Sequence, residues 1–338
     1  MLTYFESLCN ISAPSGAEFR VADYIISNLP KYCTYNIDAL GNLIVNVKGE
    51  NASKVKVQLD AHIDEVGFII TGVTPDGFLR FTTLGGIDTE ALISKKVIID
   101  NNIFGVICAK PVHMLTSEQK TQKPDIDNLY IDIGAGNIAE ANQLISPGSM
   151  GSFISNFNIT GNKIYSKAID DRAGCAILLD LINNYNKYSY TVTFTTGEEI
   201  GLRGAKTATY TVNPDYAIVV ESTTAADIEG NEGSGRVCVL GEGAAVSFMD
   251  RATLYDKNLY SKAINIAKEN NIKTQLKTMV SGGNNSGAIH TTRSGVKTLA
   301  LSLPCRYIHS GLSVADVDDF NSLRTLVEKV LISIIEND

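Results

Sequence analysis

Two adjacent carboxylates, Glu198 and Glu199, follow a β-branched and aromatic run, Thr191-Val192-Thr193-Phe194-Thr195, that closes at Gly197. Such a run reads as a buried strand that stops. Two anions side by side at the mouth of a buried strand repel each other, and a cation, a shared proton or water relieves them. Read alone, they are an ordinary solvated pair opening a loop or helix. Other segment ends carry residues of the same kind. His62 comes soon after VKVQL (Val55 to Leu59), Glu221 ends YAIVV (Tyr216 to Val220), His309 follows KTLALSL (Lys297 to Leu303), and Asp170 opens a helix.

In open α/β sheets, sites form at the carboxyl ends of strands. That placement would gather two imidazoles and several carboxylates on one edge. Imidazole with oxygen donors suits zinc, cobalt or manganese rather than calcium. The carboxylates are numerous for one ion and suit two, bridged by a carboxylate and a water and about 3.5–4 Å apart. Each residue alone has a plainer reading. His62 could be structural, with Asp64 two residues on to orient its ring. Asp170 and Asp171 could be charge at a helix N-terminus. Glu221 could be a surface carboxylate and His309 a loop residue. Their coincidence at five segment ends weakens these readings jointly, while spacing alone fixes neither metal count nor reaction.

Two competing features carry less. Gly282-Gly283-Asn284-Asn285-Ser286-Gly287 lacks a Walker lysine and dinucleotide spacing, and reads as a turn. Ser310, beside His309, has no G-x-S-x-G elbow around it.

The elements that must position these residues form two α/β segments around a break in pattern. Residues 3 to 9 read as a short helix, and Ser15 as a cap for a second helix near Glu18 to Leu29. Strands are expected at Asn42 to Val47 and Val55 to Leu59. From Phe68 to about Gly161 the chain becomes short apolar runs punctuated by glycine, the pattern of a small all-β unit. His113 within it reads as a surface or packing histidine, and Lys120 to Asp127 as an exposed loop. Helices are expected again near Asp171 to Asn183, 256 to 270 and Asp319 to Glu336. The expected architecture is α/β: a mixed or parallel central sheet covered by helices, built from residues 1–67 and 162–338, with a β-barrel-like domain inserted at 68–161.

Composition bounds the function. The chain has 338 residues, 44% of them hydrophobic, which is ample for a large core. A net charge of -8 and no basic cluster argue against nucleic acid as the main partner. Six scattered cysteines without a C-x-x-C fit a reduced cytoplasmic protein. Neither a signal peptide nor a membrane span is expected.

Five motifs, AHIDEVGF (Ala61 to Phe68), KAIDDRAG (Lys167 to Gly174), TTGEEIGLRGA (Thr195 to Ala205), VVESTTAAD (Val219 to Asp227) and CRYIHS (Cys305 to Ser310), resemble the tetrahedral aminopeptidases. That family of dinuclear metallopeptidases includes glutamyl aminopeptidases, and some members carry an endoglucanase label. The resemblance covers nearly the whole chain in order. It implies a zinc-exopeptidase-like fold with His62, Asp170 and Glu221 on one metal and Asp170, Glu199 and His309 on the other. Asp170 bridges, Glu198 is the general base, and Asp64 supports the histidine ligand. The resemblance also implies a cis Asp170–Asp171 bond. Zinc or cobalt is the first expectation for the metals and manganese the next. The inserted domain matches the family's oligomerisation domain, which implies a dimer-based homo-dodecamer acting on short peptides. One departure stands out: relatives commonly read Gly-Gly-Thr-Asp where this chain has Gly283, Asn284 and Asn285 at the last positions, one carboxylate fewer near the presumed site. A glycoside hydrolase acting on cellulose-like chains is the alternative, opposed by the absence of Trp as a sugar platform and by carboxylates set among histidines. A non-catalytic assembly protein is the other, opposed by the complete ligand set.

Overall fold

The strand that ends in His62 is the centre of the fold, which is a computed structural model describing residues 1–337. In chain order, β1 (Cys33–Ile37), β2 (Leu43–Val47) and β3 (Val57–His62) come first. They are followed by β4 (Gly67–Val73), β5 (Leu79–Leu84), β6 (Lys96–Ile99), β7 (Ile103–Ala109), β8 (Leu129–Asp132) and β9 (Met150–Phe153). A hairpin, β10 (Asn158–Thr160) and β11 (Lys163–Ser166), precedes β12 (Tyr190–Thr195) and β13 (Tyr216–Thr224). Last come β14 (Ala244–Val246), β15 (Thr274–Leu276), β16 (Lys297–Cys305) and β17 (Ser313–Asp316). The helices are α1 (Leu2–Asn10), α2 (Phe19–Ser27), α3 (Ile138–Leu144), α4 (Ile169–Asn184), α5 (Arg203–Val212), α6 (Lys257–Glu269), α7 (Ser286–Ile289) and α8 (Val317–Asn337).

The central sheet has the order β1-β2-β12-β3-β13-β16-β14-β15. Its middle is parallel: β12 with β3, β3 with β13, and β13 with β16. Every residue of β3 is buried, as expected of a strand covered on both faces. β2 and β14 join antiparallel, so the sheet is mixed. Helices α1, α4 and α8 cover one face, where Phe5 stacks 4.7 Å from Phe320. Gly174 lets α4 lie close to β13, because a Cβ there would meet Val220 O at 2.5 Å.

Strands β4 to β9 close a barrel in the order β4-β5-β8-β7-β6-β9. The barrel has its own core around Phe68, Ile70, Leu79, Phe81, Ile107 and Phe153, with the Phe68 ring edge-on to Phe81 and Phe153. The β10–β11 hairpin pairs with β17 in a separate three-stranded sheet. His113 is exposed in a single 3-10 turn, and residues 282–285 form an irregular turn before α7.

Two expectations need correction. β13 does not stop at Val220; pairing with β16 continues to Thr224 opposite Cys305, so Glu221 lies within a strand. Ser15 does not cap α2, which begins at Phe19 with no side-chain cap, because the Ser15 hydroxyl donates to Asp64 instead.

Candidate metal centre

The parallel strands bring the sequence candidates together. In the β3–β12 register, His62 lies beside Thr195, three residues before Glu198. In the β3–β13 register Asp60 pairs with Val219, so two residues further on Glu221 is level with His62. β16 leads into the loop that carries His309. Asp170 comes from the start of α4, where Asp170 and Asp171 have non-helical backbone angles and the bond joining them is cis. Ala168 and His309 both hold a positive φ, 52° and 59°, an uncommon conformation for side-chain-bearing residues and one that clusters at functional sites.

The side chains converge on Asp170. Its Oδ1 lies 3.2 Å from His62 Nε2 and its Oδ2 lies 3.2 Å from His309 Nε2. Glu221 Oε1 is 3.4 Å from His62 Nε2, and Glu199 Oε2 is 3.4 Å from His309 Nε2. Two donor sets within reach of a cation follow: His62 with Asp171 and Glu221, and His62 with Asp170 and Glu199. Asp171 was not among the sequence candidates for ligands. One of its oxygens accepts the Gly174 N–H at 2.9 Å, and the other is buried without a hydrogen-bond partner in the chain.

Asp64 ties the parts together. His62 Nδ1 lies 3.4 Å from Asp64 Oδ1 and 3.0 Å from its carbonyl oxygen. The same carboxylate accepts the backbone N–H of Glu198 at 3.0 Å and of Glu199 at 3.2 Å.

The electrostatics fit a cation. Burial pushes Glu199 up to about 8, with the charge of Asp170 adding, and pushes Glu221 up to about 7 against the favourable charge of His62. Burial also raises Glu198 well above the carboxylate range, with His62 opposing and Glu221, Glu199 and Asp170 adding. Against the penalty of burial, hydrogen bonds to His309 and His62 hold Asp170 below its usual value. Glu199 Oε1 and Glu221 Oε2 are buried without a hydrogen-bond partner in the chain. Buried carboxylates are paired, protonated or bound to metal. With two imidazoles among these oxygens, the donor set fits divalent transition metals better than calcium.

The barrel also reaches this centre, which its sequence did not indicate. A Cβ on Gly85, whose φ is +88°, would lie 2.8 Å from Val66 Cγ1 and 3.3 Å from Glu199 Oε2, and one on Gly86 would lie 3.8 Å from His309 Nδ1. The missing carboxylate at residue 285 concerns a different place. Asn285 is buried and donates to Asp60 Oδ2 and Thr195 Oγ1, each at 2.8 Å, in a polar layer beneath the ligands. Ser310 is engaged locally, donating to Tyr307 O at 2.7 Å.

Residues 41–326 match the M42 glutamyl aminopeptidases. The chain belongs to the M42 glutamyl aminopeptidase family. It is therefore a hydrolase of the peptidase class. The glutamyl aminopeptidase of Lactococcus lactis subsp. cremoris is 30% identical over 97% of this chain and 95% of its own length. The M42 fold is matched by the TET1 peptidase of Pyrococcus horikoshii, at 31% identity, a TM-score of 0.85 and coverage of 97% of this chain and 98% of that one. A protein of Thermotoga maritima named an endoglucanase is 32% identical, with a TM-score of 0.80 and coverage of 97% of this chain and 96% of that one.

Proposed function

We propose that this chain is a dinuclear metal-dependent aminopeptidase that removes N-terminal residues from short peptides. The observation that carries the reading is Asp170, with one oxygen 3.2 Å from His62 and the other 3.2 Å from His309. His62, Asp170 and Glu221 would hold one cation, with Asp171 beside them, and Asp170, Glu199 and His309 the other. Zinc or cobalt suits these donors first and manganese next. Two divalent ions, when bound, supply Lewis acidity and lower the pKa of a water toward ~7.

The protein's own side chains divide the remaining work. Glu198 accepts the proton of the attacking water and returns it to the leaving amine. Asp64 holds the His62 ring and the turn that carries Glu198. The carboxylates and cations of the centre would hold the free α-amino group of a peptide, which makes cleavage start at the N-terminus. One peptide supplied with a free and an acetylated N-terminus tests this. Release of the first residue from the free form alone is expected, and equal cleavage of both would overturn the exopeptidase assignment.

The endoglucanase name of the Thermotoga maritima relative raises a glycosidase reading. A glycosidase carboxylate pair works without metals, whereas here the carboxylates crowd two histidines, and the chain has no Trp to stack on sugar rings.

The barrel is proposed as the assembly unit of a dimer-based homo-dodecamer. Phe104 and Val106 on β7, and Val112 and Met114 just beyond it, are exposed apolar side chains, 67% and 70% exposed at Phe104 and Val112. Patches of this kind mark protein contacts. The relative from Pyrococcus horikoshii assembles into a tetrahedron or a large octahedral shell. All six cysteines are unpaired, which supports a cytoplasmic location, and among the described residues no helix is long and apolar enough to cross a membrane.

A further inference from the structure

Ser15 and Glu18 stand where a helix start would use them, yet neither side chain caps α2. Both reach across to the catalytic turn instead. Ser15 is 1% exposed, and its hydroxyl donates to Asp64 Oδ2 at 2.6 Å. Glu18 Oε1 accepts the backbone N–H of Gly197 at 3.2 Å. Asp64 in turn accepts the N–H groups of Glu198 and Glu199. Three successive amides, at 197, 198 and 199, are thus held directly or through Asp64 by one short segment near the N-terminus.

That segment is itself fixed in place. Ala13 N donates to Glu65 Oε1 at 2.9 Å, and Glu65 N donates back to Ala13 O at 3.1 Å. Lys167 Nζ bonds both Glu65 oxygens and Ile11 O, and Arg172 Nη1 bonds Leu8 O. All of these groups are buried or nearly so, and hydrogen bonds to charged groups there hold more firmly than neutral ones. A helix without its cap is the local cost of this arrangement.

We propose that Ser15 and Glu18 are positioning residues for the proposed peptidase reaction: as a strap over the 197–199 turn, they fix the backbone from which Glu198 works. The inference rests on the assignment of Glu198 as the base. A base displaced by a fraction of an ångström loses rate without losing substrate affinity. Neither Ser15 nor Glu18 touches a proposed ligand side chain directly, and Ser15 reaches His62 only through Asp64, so the strap is read at the turn itself in metal-free protein.

Ser15→Ala, Glu18→Ala, Glu18→Gln and, as a control, Ser12→Ala test the strap. Ser12 lies on the same segment and shares a 2.7 Å hydroxyl bond with Ser152, away from Asp64. Hydrogen–deuterium exchange on the metal-free proteins reads the turn without activity. Exchange in a peptide spanning residues 196–202 is expected to rise about tenfold in Ser15→Ala and Glu18→Ala and to stay at the wild-type rate in Ser12→Ala. At saturating metal, kcat is expected to fall about tenfold in the first two, with KM within twofold of wild type. Glu18→Gln keeps an acceptor oxygen and is expected to recover most of the loss. Unchanged exchange, a Ser12→Ala effect equal to that of Ser15→Ala, or a Glu18→Gln as impaired as Glu18→Ala would each overturn the strap. Wild-type protein without any peptidase activity would instead overturn the proposed function, and the exchange result would still stand or fall by itself.

Discussion

His62 and His309 are joined through one carboxylate: each Nε2 lies 3.2 Å from a different oxygen of Asp170. His62 ends β3 and His309 lies in the loop after β16, far apart in sequence, so the bridge exists only in the folded chain. It also sets the order in which substitutions should remove metal.

Asp170→Ala should empty both metal sites, because each loses a donor at once. Glu199→Ala should chiefly weaken the site that includes His309. Metal analysis of purified variants distinguishes the two, and full occupancy in Asp170→Ala would remove Asp170 from the ligand set.

Glu198→Gln keeps the size and hydrogen-bonding reach of the side chain but removes the base. Turnover should fall on the order of 10²–10⁴-fold, with metal content unchanged. Near-normal turnover would move the role to Glu199.

A pH-dependent part of the stability should come from Asp227. Its two oxygens accept Arg306 Nε and Nη2, each at 2.7 Å. Burial opposes ionisation, but the bonds from Arg306 and from the Leu240 N–H hold the carboxyl below its usual value. A depressed folded value means stability that is fully present above the unfolded pKa, about 3.9, and lost as pH falls through the folded one. Asp227→Asn should therefore lower the melting temperature by about 2–4 °C at neutral pH, with the gap from wild type closing at more acid pH. A gap that stays constant down to acid pH would exclude this linkage.

The barrel face should be covered in solution. Light scattering coupled to gel filtration should give a mass far above one 36.4 kDa chain. Phe104→Glu should shift the population to smaller species. A fully active wild-type monomer at micromolar concentration would contradict the assembly.

Much of the central sheet was legible in the sequence: Tyr216–Thr224 begins as a continuous apolar run and Val57–His62 alternates apolar with polar residues, although both strands are buried almost throughout. What pattern could not reveal was contact across sequence distance. Ser15 has the spacing of a helix cap, and only the fold places Asp64, 49 residues on, against its hydroxyl. Glycine punctuation pointed to tight turns in the barrel, but not to Gly85 packing on Glu199. Glu221 looked like a strand end because its charge breaks the apolar run. Pairing with β16 carries the strand past it, and His62 stabilises the buried carboxylate.

The most direct measurement is hydrolysis of a panel of aminoacyl chromogenic substrates by the purified protein as isolated, after chelation, and after adding back zinc, cobalt or manganese. The account predicts cleavage that chelation abolishes and at least one of the three metals restores. Full activity in protein verified to be metal-free would contradict it. So would the absence of cleavage under every metal condition, with soluble cellulose-like chains hydrolysed instead.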